Sequence, residues 1–210
     1  MTPTAIRPTA IRNVVFDIGN VVVRWSPPLI CARTFGPGGA TPERVAAIFG
    51  DPVWQALNRG ELTATAAMAH YAGKLGLSAS KADELLFHIT NTQELIPGTQ
   101  DLIETLSRQG YRLFALTDNV HEIIAYLRQR YGFWTYFEGV VNSADLGVLK
   151  PDPAIYRHLL DTYALLPAET LFLDDMPHNG EGARQQGIHA LQFVSADQAR
   201  IEMRDLGLPV

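Results

Sequence analysis

The sequence has a single cysteine, Cys31, in 210 residues, which excludes an intrachain disulfide. A lone thiol in such a chain reads as a small apolar filler in a helix. No His or Cys grouping has the spacing of a zinc site. Basic residues are in the minority, 17 Lys and Arg against 22 Asp and Glu, so no global positive field recommends nucleic acid or an anionic membrane surface as a partner. Any affinity for an anion must therefore be local. No apolar run approaches the ~20 residues of a membrane span. The opening MTPTAIRPTAIRN lacks the apolar stretch of a signal peptide, which makes the cytoplasm the expected compartment. The doubled TAIR in it is too short for a structural repeat and reads as a lead-in. No pattern in the chain indicates an oligomeric state.

What is present suffices for a full core: 47% of residues are hydrophobic and 19% charged, the profile of one soluble domain with a modest insert. Asn13 to Val23, NVVFDIGNVVV, reads as a buried strand running into a polar turn. From Pro97 onward strand and helix patterns alternate. DLIETLSRQ, VHEIIAYLRQRY, PAIYRHLLDTYALL and GEGARQQ have helical character, while YRLFAL, GVVNS, TLFL and HALQFV have strand character. Such alternation predicts an α/β fold, a Rossmann-like and mostly parallel sheet flanked by helices. Residues 26–96 differ, with helical periodicity and almost no β-branched runs, and are expected to form a small helical cap inserted after the first strand. The catalytic core would then comprise 1–25 and 97–210. PERVAAIFG, LTATAAMAHYAGKLG and SKADELLFHIT are the expected cap helices, with Thr41, Thr63 and Ser80 as N-caps.

In an open parallel sheet, ligands gather at the carboxyl ends of the strands. Four polar groups follow apolar strand runs here: Asp17 after VVF, Thr117-Asp118-Asn119 after LFAL, Lys150 after VVNSADLGVL, and Asp174-Asp175 after LFL. Each alone has an ordinary reading as a cap, a turn former or a solvated charge. Together they supply carboxylates, a hydroxyl and an amine, the set that phosphoryl transfer requires.

FDIGNVVV, ALTDN, LKPDPAIY and FLDDMPHNGEGA stand where the haloacid dehalogenase superfamily has its four motifs. The chain resembles that superfamily from Asn13 to about Phe193. Within it, the helical-cap branch and the sugar-phosphate phosphatases with an Asp-Leu-Gly-Asn first motif are the most similar. The resemblance implies a magnesium-dependent hydrolase acting on a small-molecule phosphate ester. Asp17 would be the nucleophile that forms an aspartyl phosphate, and Mg²⁺ would be held by Asp17, the carbonyl of Gly19, Asp175 and Asp174. Thr117, Lys150 and the backbone amides of Ile18 and Asp118 would hold the phosphate. Asn179 would orient a metal-bound water or the lysine, or else cap its helix.

The chain departs from the pattern at Gly19. Most phosphatases of the superfamily place there an aspartate that protonates the leaving oxygen, and losing such a group typically lowers the rate by about 10²–10⁴-fold. Asp118, His121 and His178 are the candidate substitutes. The glycine also keeps open a 2-haloacid dehalogenase, in which aspartate attacks carbon without a metal, and a non-catalytic binding protein on this scaffold. Substrate contacts from the cap are expected of Arg24, Trp25, Trp54, Asn58, Arg59 and Glu61, each of which also has an ordinary reading as cap packing or a solvated charge.

Overall fold

The computed structural model describes residues 10–210, so the doubled TAIR falls largely outside the described residues. Five parallel strands form one sheet in the order β3-β2-β1-β4-β5. They are β1 (Asn13–Phe16), β2 (Arg112–Thr117), β3 (Gly139–Asn142), β4 (Thr170–Asp174) and β5 (His189–Gln192). The apolar runs are continuous because both faces of the sheet are covered. Val14 and Phe16, Leu113 and Ala115, and Leu171 and Leu173 face one core, whereas Val15, Phe114 and Phe172 face the other. That two-residue alternation assigns each strand residue to a layer.

Five helices separate β1 from β2's leading helix: α1 (Pro27–Phe35), α2 (Pro42–Phe49), α3 (Pro52–Asn58), α4 (Ala64–Leu75) and α5 (Ala79–Asn91). Next come α6 (Thr99–Arg108), α7 (His121–Arg130), the single turn α8 (Ser143–Leu146), α9 (Pro153–Tyr163), α10 (Pro177–Gln185) and α11 (Ala196–Asp205). Residues of α6, α7 and α11 pack on the Val14–Phe16 face and those of α9 and α10 on the other. The expected Rossmann-like sheet is thus found, each strand pattern falling on a strand.

The helical stretch after β1 contains two helices more than the three expected, α1 and α3, each opened by a Pro at its first position. Thr41 and Thr63 are N-caps, accepting from the amides of Arg44 and Ala66. Ser80 is not: it lies inside the first turn of α5, and Ser78, with extended backbone, accepts from Lys81 N at 3.2 Å. The entry and exit of the helical stretch are tied together, because Val23 bridges Leu95, Ile96 N donates to Val22 O at 2.9 Å and Arg24 N to Glu94 O at 2.7 Å. Cys31 is fully buried in α1, and burial pushes its thiol up.

Asp51 anchors α3 twice. Its Oδ1 accepts from Val53 N at 2.7 Å as the N-cap, and its Oδ2 meets Lys74 Nζ and His70 Nε2 on α4. The lysine and the Val53 amide hold its carboxyl down to about 2. At the far end of α3, Gly60 has φ +68°, and a Cβ there would stand 2.2 Å from Ala144 O, so only glycine lets the helix end this close to α8. Asp51→Asn, which keeps a capping oxygen but removes the charge facing Lys74 and the start of α3, is expected to lower stability by about 1 kcal/mol at neutral pH. Because the folded carboxyl titrates below its unfolded value, the difference from wild type should persist above about pH 4 and vanish as pH falls through 2. Urea midpoints at several pH values would show it; a constant gap down to pH 2 would refute it.

Candidate active site

The order β3-β2-β1-β4-β5 makes β1 central, with the chain moving to one side through β2 and β3 and to the other through β4 and β5. This is the switch point at which α/β sheets open a crevice at their carboxyl ends. Asp17, Thr117 and Asp174 occupy those ends on β1, β2 and β4, and the loop after α8 brings in Lys150. The Lys150 ammonium is almost wholly buried and lies 3.0 Å from Asp17 Oδ2 and 2.7 Å from Asp174 Oδ2. Asp174 is held from its other side as well: Asn179 Nδ2 donates to both oxygens at 3.0 and 3.1 Å, and Met176 N to Oδ1 at 2.8 Å.

The electrostatics follow from burial. Desolvation pushes Asp17 up to about 7 even with Lys150 beside it, and it also raises Asp175 and Asp118. Burial alone would favour the neutral amine of Lys150, but Asp17, Asp174 and Asp118 outweigh it and hold the ammonium above the usual lysine range. One carboxylate oxygen each from Asp17, Asp174 and Asp175 lies within 4.8 Å of the others. Three carboxylates against one ammonium leave net negative charge in a poorly solvated place, and an all-oxygen donor set is what a hard divalent cation such as Mg²⁺ takes. The residues fit the ion. Asp174 is engaged by Lys150, Asn179 and Met176, so Asp17 and Asp175, with the Gly19 carbonyl, are the freer donors.

A cavity of about 250 Å³ opens above this cluster. Asp17, Gly19, Asp118, Lys150, Asp175 and Asn179 line it, as do Trp25, Trp54 and Asn58. Thr117 lies beneath the lining, 1% exposed, and its hydroxyl has no partner in the protein, which leaves a donor free for a ligand. Ile18 N donates to Asp17 Oδ1 at 2.7 Å, so this amide faces the nucleophile position. The Asp118 carboxylate accepts from Lys150 N through both oxygens at 3.1 Å, clamping the lysine backbone to the end of β2. Of the expected groups, Arg24 and Arg59 do not line the cavity. Arg24 is exposed, and Arg59 makes an ion pair with Glu61, Nε to Oε1 2.6 Å. His178 lines the cavity; His121 instead faces Asp145 at 3.3 Å on the exposed surface. Asn179 sits within α10 and caps no helix; it grips Asp174 rather than the lysine.

Asn20 escaped the sequence reading. It adopts φ 53°, a conformation asparagine tolerates, donates to Asp175 Oδ2 at 3.3 Å and accepts from Trp25 N at 2.9 Å. The Asn after Asp-x-Gly was the available signal. Ser143 was missed too: its hydroxyl accepts from Asn119 N at 3.0 Å and donates to Asn58 O at 2.7 Å, joining the end of α3 to the turn after β2.

A model of the haloacid dehalogenase-like hydrolase family matches residues 11–187. The chain belongs to that family. This hydrolase is 24% identical over 198 residues to the sesquiterpene phosphatase astK of Aspergillus oryzae, covering 94% of this chain and 97% of that one. Among solved structures it is similar to a haloacid dehalogenase family enzyme of Bacteroides thetaiotaomicron in complex with magnesium and inorganic phosphate. The TM-score is 0.76, with 19% identity and coverage of 89% and 96% of the two chains. It is similar also to the L-2-haloacid dehalogenase of Xanthobacter autotrophicus with chloropropionic acid covalently bound, with TM-score 0.66, 19% identity and coverage of 93% and 83%. Three further curated relatives are longer proteins of which the chain spans less than half, whereas it covers 82% of the phosphoglycolate phosphatase of Thiobacillus denitrificans, at 22% identity. No helix among the described residues is long and apolar enough to cross a membrane.

Two outcomes follow for the hydrolase in solution. Lys150→Met leaves Asp17 and Asp174 buried without their cation and should cost about 3–5 kcal/mol, read from denaturant unfolding; a loss under 1 kcal/mol would mean the ion triad is not formed. Without divalent ions, Asp17 binds its proton more tightly folded than unfolded, so its contribution should be largest below about pH 4 and decline as pH rises through 7. Added Mg²⁺ should therefore raise the melting temperature more at about pH 8 than at about pH 5. An increment that shrinks with pH would contradict the carboxylate site.

Proposed function

We infer that this hydrolase is a phosphatase, cleaving a small phosphomonoester through an aspartyl phosphate on Asp17. One observation carries the reading: Asp17 lines the cavity within 4.8 Å, oxygen to oxygen, of Asp174 and Asp175, a donor set for a divalent cation. A dehalogenase attacking carbon has no use for it. That a 24% identical relative spanning nearly the whole chain is a phosphatase supports the same reading.

In the first half of the reaction an Asp17 oxygen bonds to phosphorus as the P–O bond to the alcohol breaks. In the second, water attacks phosphorus, inorganic phosphate leaves and the carboxylate is restored. Lys150 orients the Asp17 carboxylate through the 3.0 Å contact and offsets charge on the transferring group. The unpartnered Thr117 hydroxyl donates to a phosphoryl oxygen, with the amide of Asp118 beside it. Asp17, Asp174, Asp175 and the Gly19 carbonyl would hold Mg²⁺, which when bound would neutralise charge on the phosphoryl oxygens. Asn20 keeps Asp175 aimed at the site. A Cβ on Gly19 would meet only Trp25 Cβ, at 3.8 Å, so the missing acid at this position is a chemical difference and not a steric necessity. Of the candidate proton carriers, Asp118 and His178 reach the cavity wall.

The non-acidic Gly19 favours one other reading, attack on the carbon of a 2-haloacid. With Mg²⁺, wild type should release nitrophenol from p-nitrophenyl phosphate, EDTA should stop it, and Asp17→Asn should lower the rate by at least about 10³-fold. Chloride release from 2-chloropropionate, undiminished by EDTA, would overturn the phosphatase reading in favour of the dehalogenase. Equal background from both proteins on either substrate would instead mark a binding protein.

A further inference from the structure

Part of the cavity wall is aromatic. Trp25 and Trp54 stack with ring centroids 5.5 Å apart and planes 10° from parallel. Phe49 sets its edge against both, at 5.5 Å and 87° to Trp25 and at 5.1 Å and 79° to Trp54. The pair therefore has little rotational freedom. It is also tied to the chemistry, since Trp25 N is bound by the same Asn20 that holds Asp175, and Trp54 sits in α3, which Asp51 anchors. Ile123 and Met176 add further apolar lining.

The charges and hydrogen-bonding groups around this wall narrow what fits it. Among the described residues the cavity is lined by no Lys or Arg except Lys150, whose ammonium faces Asp17 and Asp174. A second anionic group on the substrate would meet Asp118 with only the exposed His178 to offset it, an unfavourable place for a charge leaving water. Three of the neutral amides in the lining are partly engaged. Asn58 donates to Trp54 O at 2.7 Å, Gln93 to Ile89 O at 3.1 Å, and Asn119 accepts from Val120 N at 3.0 Å. Each still offers its other end, and the buried Asn179 Oδ1 has no partner, so the lining can meet a few polar groups, while every hydroxyl buried beyond these costs about 1–3 kcal/mol. Hydrocarbon laid on the indoles instead gains roughly 25 cal/mol per Å² of apolar surface covered.

We propose that the alcohol released by this enzyme is uncharged and mainly hydrocarbon, an aliphatic or isoprenoid chain seated on the Trp25–Trp54 wall, rather than a sugar or a hydroxy acid. This rests on the phosphatase reading and narrows it. The wall then does two things: it excludes water from the scissile bond and discriminates by apolar area, while the carboxylate cluster handles only the phosphate common to all monoesters.

The test uses the full chain with Mg²⁺ and follows phosphate release from geranyl monophosphate, glucose 6-phosphate and phosphoglycolate, with p-nitrophenyl phosphate as control. Geranyl monophosphate should exceed the other two in kcat/KM by at least about 10-fold, the effect of burying a few methylenes. Trp54→Ala should raise its KM by about 10- to 50-fold, and Trp54→Phe by a few-fold, with inhibition by inorganic phosphate unchanged in both. Glucose 6-phosphate or phosphoglycolate turned over as well or better would overturn the proposal, as would an unchanged KM in Trp54→Ala or, where that variant fails to fold, in Trp54→Phe. Wild type inert toward all four esters would defeat the phosphatase reading itself and this proposal with it, an outcome distinct from control turnover with the wrong preference.

Discussion

The placement of one ammonium group organises the site. Lys150 is buried between Asp17 and Asp174, and neither carboxylate could stand so far from water without it. Its backbone is clamped by Asp118, and its partner Asp174 is gripped by Asn179 and the Met176 amide. Elements distant in sequence, the ends of β1, β2 and β4, the loop after α8 and the first turn of α10, therefore converge on one charge. The arrangement is overdetermined, as a site that has to present a carboxylate at a fixed angle requires.

The surplus of negative charge is the second consequence. Lys150 offsets part of what Asp17, Asp174 and Asp175 bring, and burial, with the neighbouring Asp174 charge adding to it, raises the pKa of Asp17. A divalent cation held by Asp17 and Asp175 would relieve the same tension. The aromatic wall shares this framework through Asn20, whose side chain touches Asp175 at one end and the Trp25 backbone at the other. The aromatic pair and the carboxylate cluster are thereby held in register by a single turn residue in a left-handed conformation.

Much of this was legible in the sequence because it depends on local pattern. Strand runs such as VVF and TLFL are apolar because both sheet faces are covered, and the polar residue ending each run is where a parallel sheet opens. Asp17, Thr117, Lys150 and Asp174-Asp175 could be picked out on that basis alone. Caps were readable where Ser or Thr preceded a clear helical period, and misplaced by two residues where Ser78 and Ser80 offered the same chemistry. Helices α1 and α3 were passed over because their runs are short and their Pro starts read as loop punctuation.

The sequence by itself determined the fold class, the strand ends and the identity of the charged cluster, because periodicity and strand-end position are properties of neighbouring residues. Only the tertiary structure decided which groups serve the cavity. Asn20 meets Asp175 across 155 positions and Ser143 joins Asn58 across 85, while Arg59 is turned away by Glu61 two residues along. Trp25 and Trp54 came together as one wall for the same reason. A contact between distant residues is set by how helices pack on the sheet and by which polar groups have already found partners, and no local pattern records either.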